Sequence, residues 1–146
     1  MPVSVSKVDI WTAEISDQAG ALDRILSAVA NAGGNLECVI GRRNPAKPGS
    51  GHVYLTPIKG AKVQKAARDV GLSLAANIST LRVEMPNKPG QGHTLMAAIA
   101  SAGINVRGVS AAGAGTKTIA YIGFDSKEDA DRALKAIKSA DKPARK

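Results

Sequence analysis

One pattern is written twice in this chain, 70 positions apart. Residues 17–40 read DQAGALDRILSAVANAGGNLECVI, and residues 87–110 read NKPGQGHTLMAAIASAGINVRGVS. Each copy has a short polar loop ending in glycine (Gly20, Gly90), then an apolar stripe at helical spacing. Each continues with Ala-Gly-x-Asn (Ala32, Gly33, Asn35; Ala102, Gly103, Asn105) and an extended run. A repeat of this length is a duplicated supersecondary unit, so the chain is expected to fold as two equivalent halves. What repeats is a loop at a helix start, not a set of reactive side chains. That directs the functional question toward binding and away from catalysis.

The elements follow from local patterning. Val3–Ile15 is rich in β-branched residues and predicts one long strand or two short ones. Asp17-Gln18-Ala19-Gly20 interrupts it. Leu22, Ile25, Leu26 and Val29 share one helical face. Gly33-Gly34-Asn35 ends that helix, because glycine takes the left-handed cap without strain. Leu36, Cys38 and Ile40 alternate as in a strand. Residues 42–51 (RRNPAKPGSG) are expected to form an exposed, mobile loop. His52–Leu55 predicts a strand stopped at Pro57, and Val63, Ala66, Ala67 and Val70 a second helix. Leu72–Met85 is again extended.

The second copy repeats the order. Leu95, Met96 and Ile99 mark a helix, Val106–Ser110 a strand, Ala111–Lys117 a glycine-rich hairpin connection and Thr118–Phe124 a strand. Ser126 with Asp129 resembles a capping box, opening a last helix through Ala130, Ala133, Leu134 and Ile137. Each half is therefore strand, helix, strand, strand, helix, strand, except that the second lacks its final strand. Shifted by 70, Val3–Ile15 overlies Ser73–Met85, so Val3–Ser6 is expected to complete the second sheet. The fold class expected is α+β: two βαββαβ modules with antiparallel sheets. They span 8–78 and 79–140, with the second edge strand drawn from 3–6 and a basic tail at 141–146.

Composition narrows the function. The chain has 146 residues, 44% of them hydrophobic and only 3% aromatic, so its core is built from Ala, Val, Leu and Ile. The formal charge of +8 is partly local, in Lys135, Lys138, Lys142, Arg145 and Lys146 and in Arg42, Arg43 and Lys47. A solubilising tail accounts for the first group more simply than nucleic-acid contact does. Cys38 is the single cysteine, which rules out an internal disulfide and any multi-cysteine metal site within one chain. No run has signal-peptide or membrane-span length, so the expected location is the cytoplasm, with no membrane partner.

Catalytic signals are lacking. Gly108 and Gly113 have the spacing of a P-loop's glycines, but Ala114 stands where lysine is required. His52 and His93 lie in no metal spacing, and Glu14, Glu37 and Glu84 form no acid/base pair. Tyr54, Tyr121 and Phe124 are isolated, without the aromatic platform that RNA recognition needs. The expectation is a protein that is not an enzyme, with no catalytic residue, metal or cofactor.

The order strand, Asp/Asn-x-Pro-Gly, helix, Ala-Gly-x-Asn, strand resembles the ACT domain family across about residues 8–137. Asn87-Lys88-Pro89-Gly90 and Gly103-Ile104-Asn105-Val106 carry the likeness best. Asp17-Gln18-Ala19-Gly20 has alanine in place of proline, and Gly92 stands where Leu22 and most relatives have leucine. The resemblance implies ferredoxin-like regulatory modules in a stand-alone tandem pair. It implies a small-molecule ligand, an amino acid above all, held at the strand-to-helix loop and the strand after the first helix. Carried over, that names Asp17, Gly20 and Asn35, then Asn87, Gly90 and Asn105, with Ile15 and Met85 at the strand ends. It further implies allosteric action through a module or subunit interface, a homodimer, and a regulated enzyme as partner.

The chemistry of these residues agrees with that placement. A helix start offers free N–H groups and partial positive charge to a carboxylate. Glycine allows close approach to the backbone, Asp17 accepts from an ammonium group, and Asn87 both donates and accepts. Each residue also has a plain structural role. Asp17 and Asn87 suit helix caps, where capping contributes about 1 kcal/mol, and Asn35 and Asn105 suit turns. Two other functions stay open: a ligand-free oligomerisation or interaction module, and a nucleic-acid binder acting through its basic tail.

Overall fold

A computed structural model describes residues 3–141. The described residues form eight strands and four helices: β1 (Ser4–Val8), β2 (Trp11–Ser16), α1 (Ala21–Asn31), β3 (Cys38–Arg43), β4 (Ser50–Thr56), α2 (Ala61–Asp69), β5 (Ser73–Leu74), β6 (Ser79–Pro86), α3 (Gln91–Ser101), β7 (Gly108–Ala114), β8 (Lys117–Phe124) and α4 (Lys127–Asp141). They divide into two compact units. One holds Asp9–Ala75; the other holds the described residues up to Val8 and those from Ala76 onward. These are called the first and second modules.

The first module is a four-stranded antiparallel sheet in the order β3-β4-β2-β5. Alternation along β4 puts Val53 and Leu55 in the core and leaves His52 and Tyr54 on the other face, half-buried. Ile25 and Val29, four apart on α1, and Val63 and Ala67, four apart on α2, close over that core with Trp11. Helix α1 ends in a hydrogen-bonded left-handed cap: Gly33 has φ 92°, its N–H donates to Ala30, and the Gly34 N–H donates to Val29.

The second module repeats this plan in the order β1-β6-β8-β7. Leu81, Val83, Ala120, Ile122 and Phe124 face Leu95, Ile99, Ala133 and Ile137. Its outer strand comes from the start of the chain. β1 pairs antiparallel with β6 from Ser4 opposite Glu84 to Val8 opposite Thr80. Both modules are thus α+β, ferredoxin-like and antiparallel. Ser126 caps α4, accepting from the Asp129 N–H at 3.1 Å, and Asp141 belongs to that helix, not to a tail. The remainder of the basic tail lies outside the described residues.

Three local expectations are corrected. Residues 42–51 are not one loop: Arg42 and Arg43 pair with His52 and Gly51, so the turn is only 44–49. Residues 111–117 are mostly strand, since β7 runs to Ala114 and the turn is Gly115-Thr116. The prolines and glycines in these stretches mark the tips, and ladder pairing carries the strands further in than composition suggests. Leu72–Met85 is broken by a bend into β5 and β6. The pair Ile40–Tyr54 corresponds to Ser110–Tyr121, so the spacing between copies is 70 before the hairpin and 67 after it.

Candidate ligand site

The two strand-to-helix bends have the same backbone construction. At the first, the Asp17 N–H donates to Gly49, the Gln18 N–H to Ser16 and the Ala21 N–H to Gln18. At the second, the Asn87 N–H donates to Thr116, the Lys88 N–H to Pro86 and the Gln91 N–H to Lys88. Each bend is thereby tied to the tip of the neighbouring hairpin. Gly20 and Gly90 then turn the chain into the helix at φ 87° and φ 84°. Both have open space where a Cβ would stand, so glycine is required there by backbone conformation alone.

These glycines are the N-caps of α1 and α3, and neither helix has a side-chain capping bond. The capping role considered for Asp17 and Asn87 is therefore wrong: both lie three residues too early. In the first turns the Ala21 and Gln91 N–H groups are held by Gln18 and Lys88, and those of Arg24 and Thr94 by Gly20 and Gly90, which leaves the N–H groups of Leu22 and Asp23 in α1, and of Gly92 and His93 in α3, open to an outside acceptor.

The side chains of Asp17 and Asn87 do different things. A carboxylate oxygen of Asp17 meets Arg43 Nε at 2.9 Å, an exposed pair of the kind that contributes little to stability. Asn87 turns back onto its own hairpin. Its Nδ2 donates to the Gly115 carbonyl at 3.0 Å, and its Oδ1 accepts from the Thr118 hydroxyl at 3.4 Å. Gly113 leaves the room for this, since a Cβ there would stand 3.0 Å from Asn87 Nδ2.

Two cavities adjoin the first bend. One, of about 270 Å³, is lined by Ile15, Asp17, Leu22, Gly41, Arg42 and Arg43. The other, of about 370 Å³, shares Ile15, Ser16 and Gln18 with it and adds Glu14, Gly20 and Arg24. In the second module, a cavity of about 170 Å³ opens between α3 and α4 beside Val3, Met85, Leu95 and Asp141. Met85 is only 4% exposed and faces this interior space. Asn35 and Asn105 are exposed in the turns that follow α1 and α3. An eleven-residue helix spans about 16 Å, so Asn35 stands at the far end of α1 from Asp17. One amino-acid-sized ligand does not touch both within a module.

The arginines and lysines of the β3–β4 hairpin are the site features that sequence reasoning missed. Their clustering was visible, but nothing local says that ladder pairing folds them back toward Asp17. The same holds for Glu14 and Glu84, which occupy equivalent strand positions. Glu14 is held by Lys47 Nζ at 2.6 Å. Glu84 is held by Lys117 Nζ at 2.7 Å and by Arg82 at 3.4 Å. The two lysines are not equivalent, since Lys47 lies in a turn and Lys117 on a strand, yet each pins the strand that leads into its bend.

In both glutamates the hydrogen bond from lysine, reinforced by its charge, holds the carboxyl below the ordinary glutamate value. A depressed folded pKa stabilises the fold above the unfolded value of about 4.3, and that contribution is lost as pH falls through the folded value. Acid titration of stability is therefore expected to be shallower in Glu84→Gln than in the parent below about pH 5. Identical acid-unfolding slopes would show that the pair is not coupled to folding. Burial pushes the Cys38 thiol up, which keeps it in the unreactive form.

No protein-family model and no curated protein sequence matches the chain. Solved structures do resemble it. A Bacteroides thetaiotaomicron protein superimposes with a TM-score of 0.78 at 14% identity, over 92% of this chain and 89% of its own. The ligand-free regulatory subunit of Thermus thermophilus aspartate kinase gives 0.66 at 18% identity, over 97% and 98%. Clostridium acetobutylicum aspartate kinase, an allosteric enzyme, gives 0.60 at 17% identity over 96% of this chain but 34% of that one.

The chain has a tandem ACT fold. Its two modules differ in the polar groups at their bends, although the backbone that carries them is the same. Among the described residues, no helix is long and apolar enough to cross a membrane. No three side chains among them are grouped so as to hold a metal ion.

Proposed function

We propose that this chain is a regulatory protein that binds a small molecule, an amino acid, at the bend between β2 and α1. It passes that occupancy on through an interface with a further module or subunit, including that of a regulated enzyme. One observation carries the reading. The start of α1 has no side-chain cap, enters through Gly20 at φ 87°, and lies beside a cavity lined by Asp17, Arg42 and Arg43. Backbone N–H groups suit a ligand carboxylate and Asp17 suits its ammonium group, so a zwitterion finds both complements at one bend. The likeness to aspartate kinase regulatory subunits supports the same reading. Regulation follows as a population shift: a ligand that binds one association state more tightly than another favours that state.

Calorimetry and thermal shift against the twenty amino acids test this. At least one is expected to bind and to raise the melting temperature. Gly20→Ala, which strains the bend by about 1–2 kcal/mol, is expected to weaken binding. If no amino acid binds and none shifts the melting temperature, the reading fails.

A ligand-free association module is the second reading. Val39 and Val109 lie on the outer strands β3 and β7, 42% and 51% exposed, and apolar edge strands invite pairing with another copy. Sedimentation of Val39→Lys and Val109→Lys variants separates it from the first. A homodimer that dissociates in these variants, with no amino acid bound to the parent, favours association alone.

A further inference from the structure

The two bends share a backbone but not a chemistry, and the difference indicates both which bend is used and what it takes. We propose that only the first bend is a ligand site, and that its ligand carries a second negative charge, as a dicarboxylic amino acid does. The inference rests on the amino-acid-binding function proposed above.

At the first bend the acids nearest the cavities are already engaged, Asp17 with Arg43 and Glu14 with Lys47. Arg42 lines one cavity and Arg24 the other, and neither guanidinium has an ion-pair partner among the described residues. Asp23, in the first turn of α1, is the remaining nearby carboxylate. Two free guanidinium groups against one free carboxylate leave a surplus of positive charge beside a helix start that already favours anions. An α-carboxylate on the unpaired Leu22 and Asp23 amides of the first turn and an ammonium group sharing Asp17 with Arg43 leave Arg42 and Arg24 without a counter-charge. A side-chain carboxylate supplies it, and guanidinium groups bind carboxylates through paired hydrogen bonds.

The second bend lacks these groups. Seventy positions on from Arg24, Arg42 and Arg43 stand Thr94, Ala112 and Gly113, and the Thr94 hydroxyl donates to the Gly90 carbonyl. The gap at Gly113 is filled by Asn87, whose amide is spent on Gly115 and Thr118. Lys88, in place of Gln18, is the one cation its loop gains. The second bend is therefore closed by its own side chain and serves the fold.

Calorimetry of the full chain at fixed salt decides this. L-aspartate or L-glutamate is expected to bind at one per chain, with L-asparagine, L-glutamine and L-lysine weaker by roughly tenfold or more, as loss of one charge-assisted contact gives. Arg42→Ala and Arg24→Ala are expected to weaken the acidic ligand by a similar factor without moving the melting temperature of the free protein. Asn87→Ala is expected to leave affinity and stoichiometry unchanged. Equal or tighter binding of an amide or of lysine, or two ligands per chain, overturns the inference and leaves amino-acid binding intact. No binding by any amino acid removes both.

Discussion

A chain lacking residues 1–8 is expected to lose the native second module. The deletion removes β1, whose five residues pair with β6, and Val3 and Val5, which pack against the second core. It also removes two ties to α4. The Lys7 ammonium pairs with Asp131, and the Val3 N–H donates to the Asp141 carboxylate at 2.8 Å. Two half-buried valines account for about 1.5–3 kcal/mol, a sizeable part of the roughly 5–15 kcal/mol that holds a domain folded. What remains is worse than a shorter sheet, because β6 becomes an uncovered edge next to Leu81, Val83 and Met85. Hydrogen exchange reads the outcome directly: the β6 amides are expected to lose protection, with aggregation at micromolar concentration. Unchanged protection of β6 in the truncated chain would refute the role of β1 in completing this sheet.

Phe124→Ala is expected to destabilise the second module by about 3–5 kcal/mol. Phe124 is fully buried on β8, opposite Ser79 of β6, and is the largest of the fully buried side chains. It is also the chain's single phenylalanine, in a core otherwise made of small aliphatic groups that cannot swell to fill the gap. Val109→Ala on the neighbouring strand, 51% exposed, is expected to change stability by no more than about 0.5 kcal/mol. Urea midpoints together with exchange at the β8 amides measure both. A Phe124→Ala midpoint as close to the parent as that of Val109→Ala would mean that the core is not packed as described.

The repeat made the plan of this protein legible because it is a one-dimensional signal. Helical stripes such as Ile25–Val29 and Leu95–Ile99, and the glycines that end each helix, are decided by neighbours within a few residues. The glycines at the two helix starts were visible in the same way, but their positive φ, 87° at Gly20 and 84° at Gly90, belongs to the folded structure. The overlay of Val3–Ile15 on Ser73–Met85 pointed to the origin of the second sheet's outer strand, because a missing element in one copy had a candidate elsewhere in the chain.

The site was less legible. Asp17 was visible as a polar residue before a helix, but whether it caps that helix, meets an arginine or faces a ligand depends on where the hairpin folds. Asn35 shows the same limit. It repeats with Asn105 and looks like part of a motif, yet a helix of about 16 Å separates it from the bend. Proximity in a motif is distance along the chain, and an α-helix converts eleven residues of chain into a rod.

By itself the sequence determined the class of fold, the number of modules and the glycine-governed entry into α1 and α3, since each depends on interactions local in the chain. The tertiary structure alone decided that Arg43 meets Asp17, that Lys47 and Lys117 reach equivalent glutamates from inequivalent positions, and that Asn87 folds onto its own hairpin. Those contacts depend on strand register and hairpin length, which shift by three residues between two otherwise matching halves. No periodicity within either half records that shift, because register is a relation between strands.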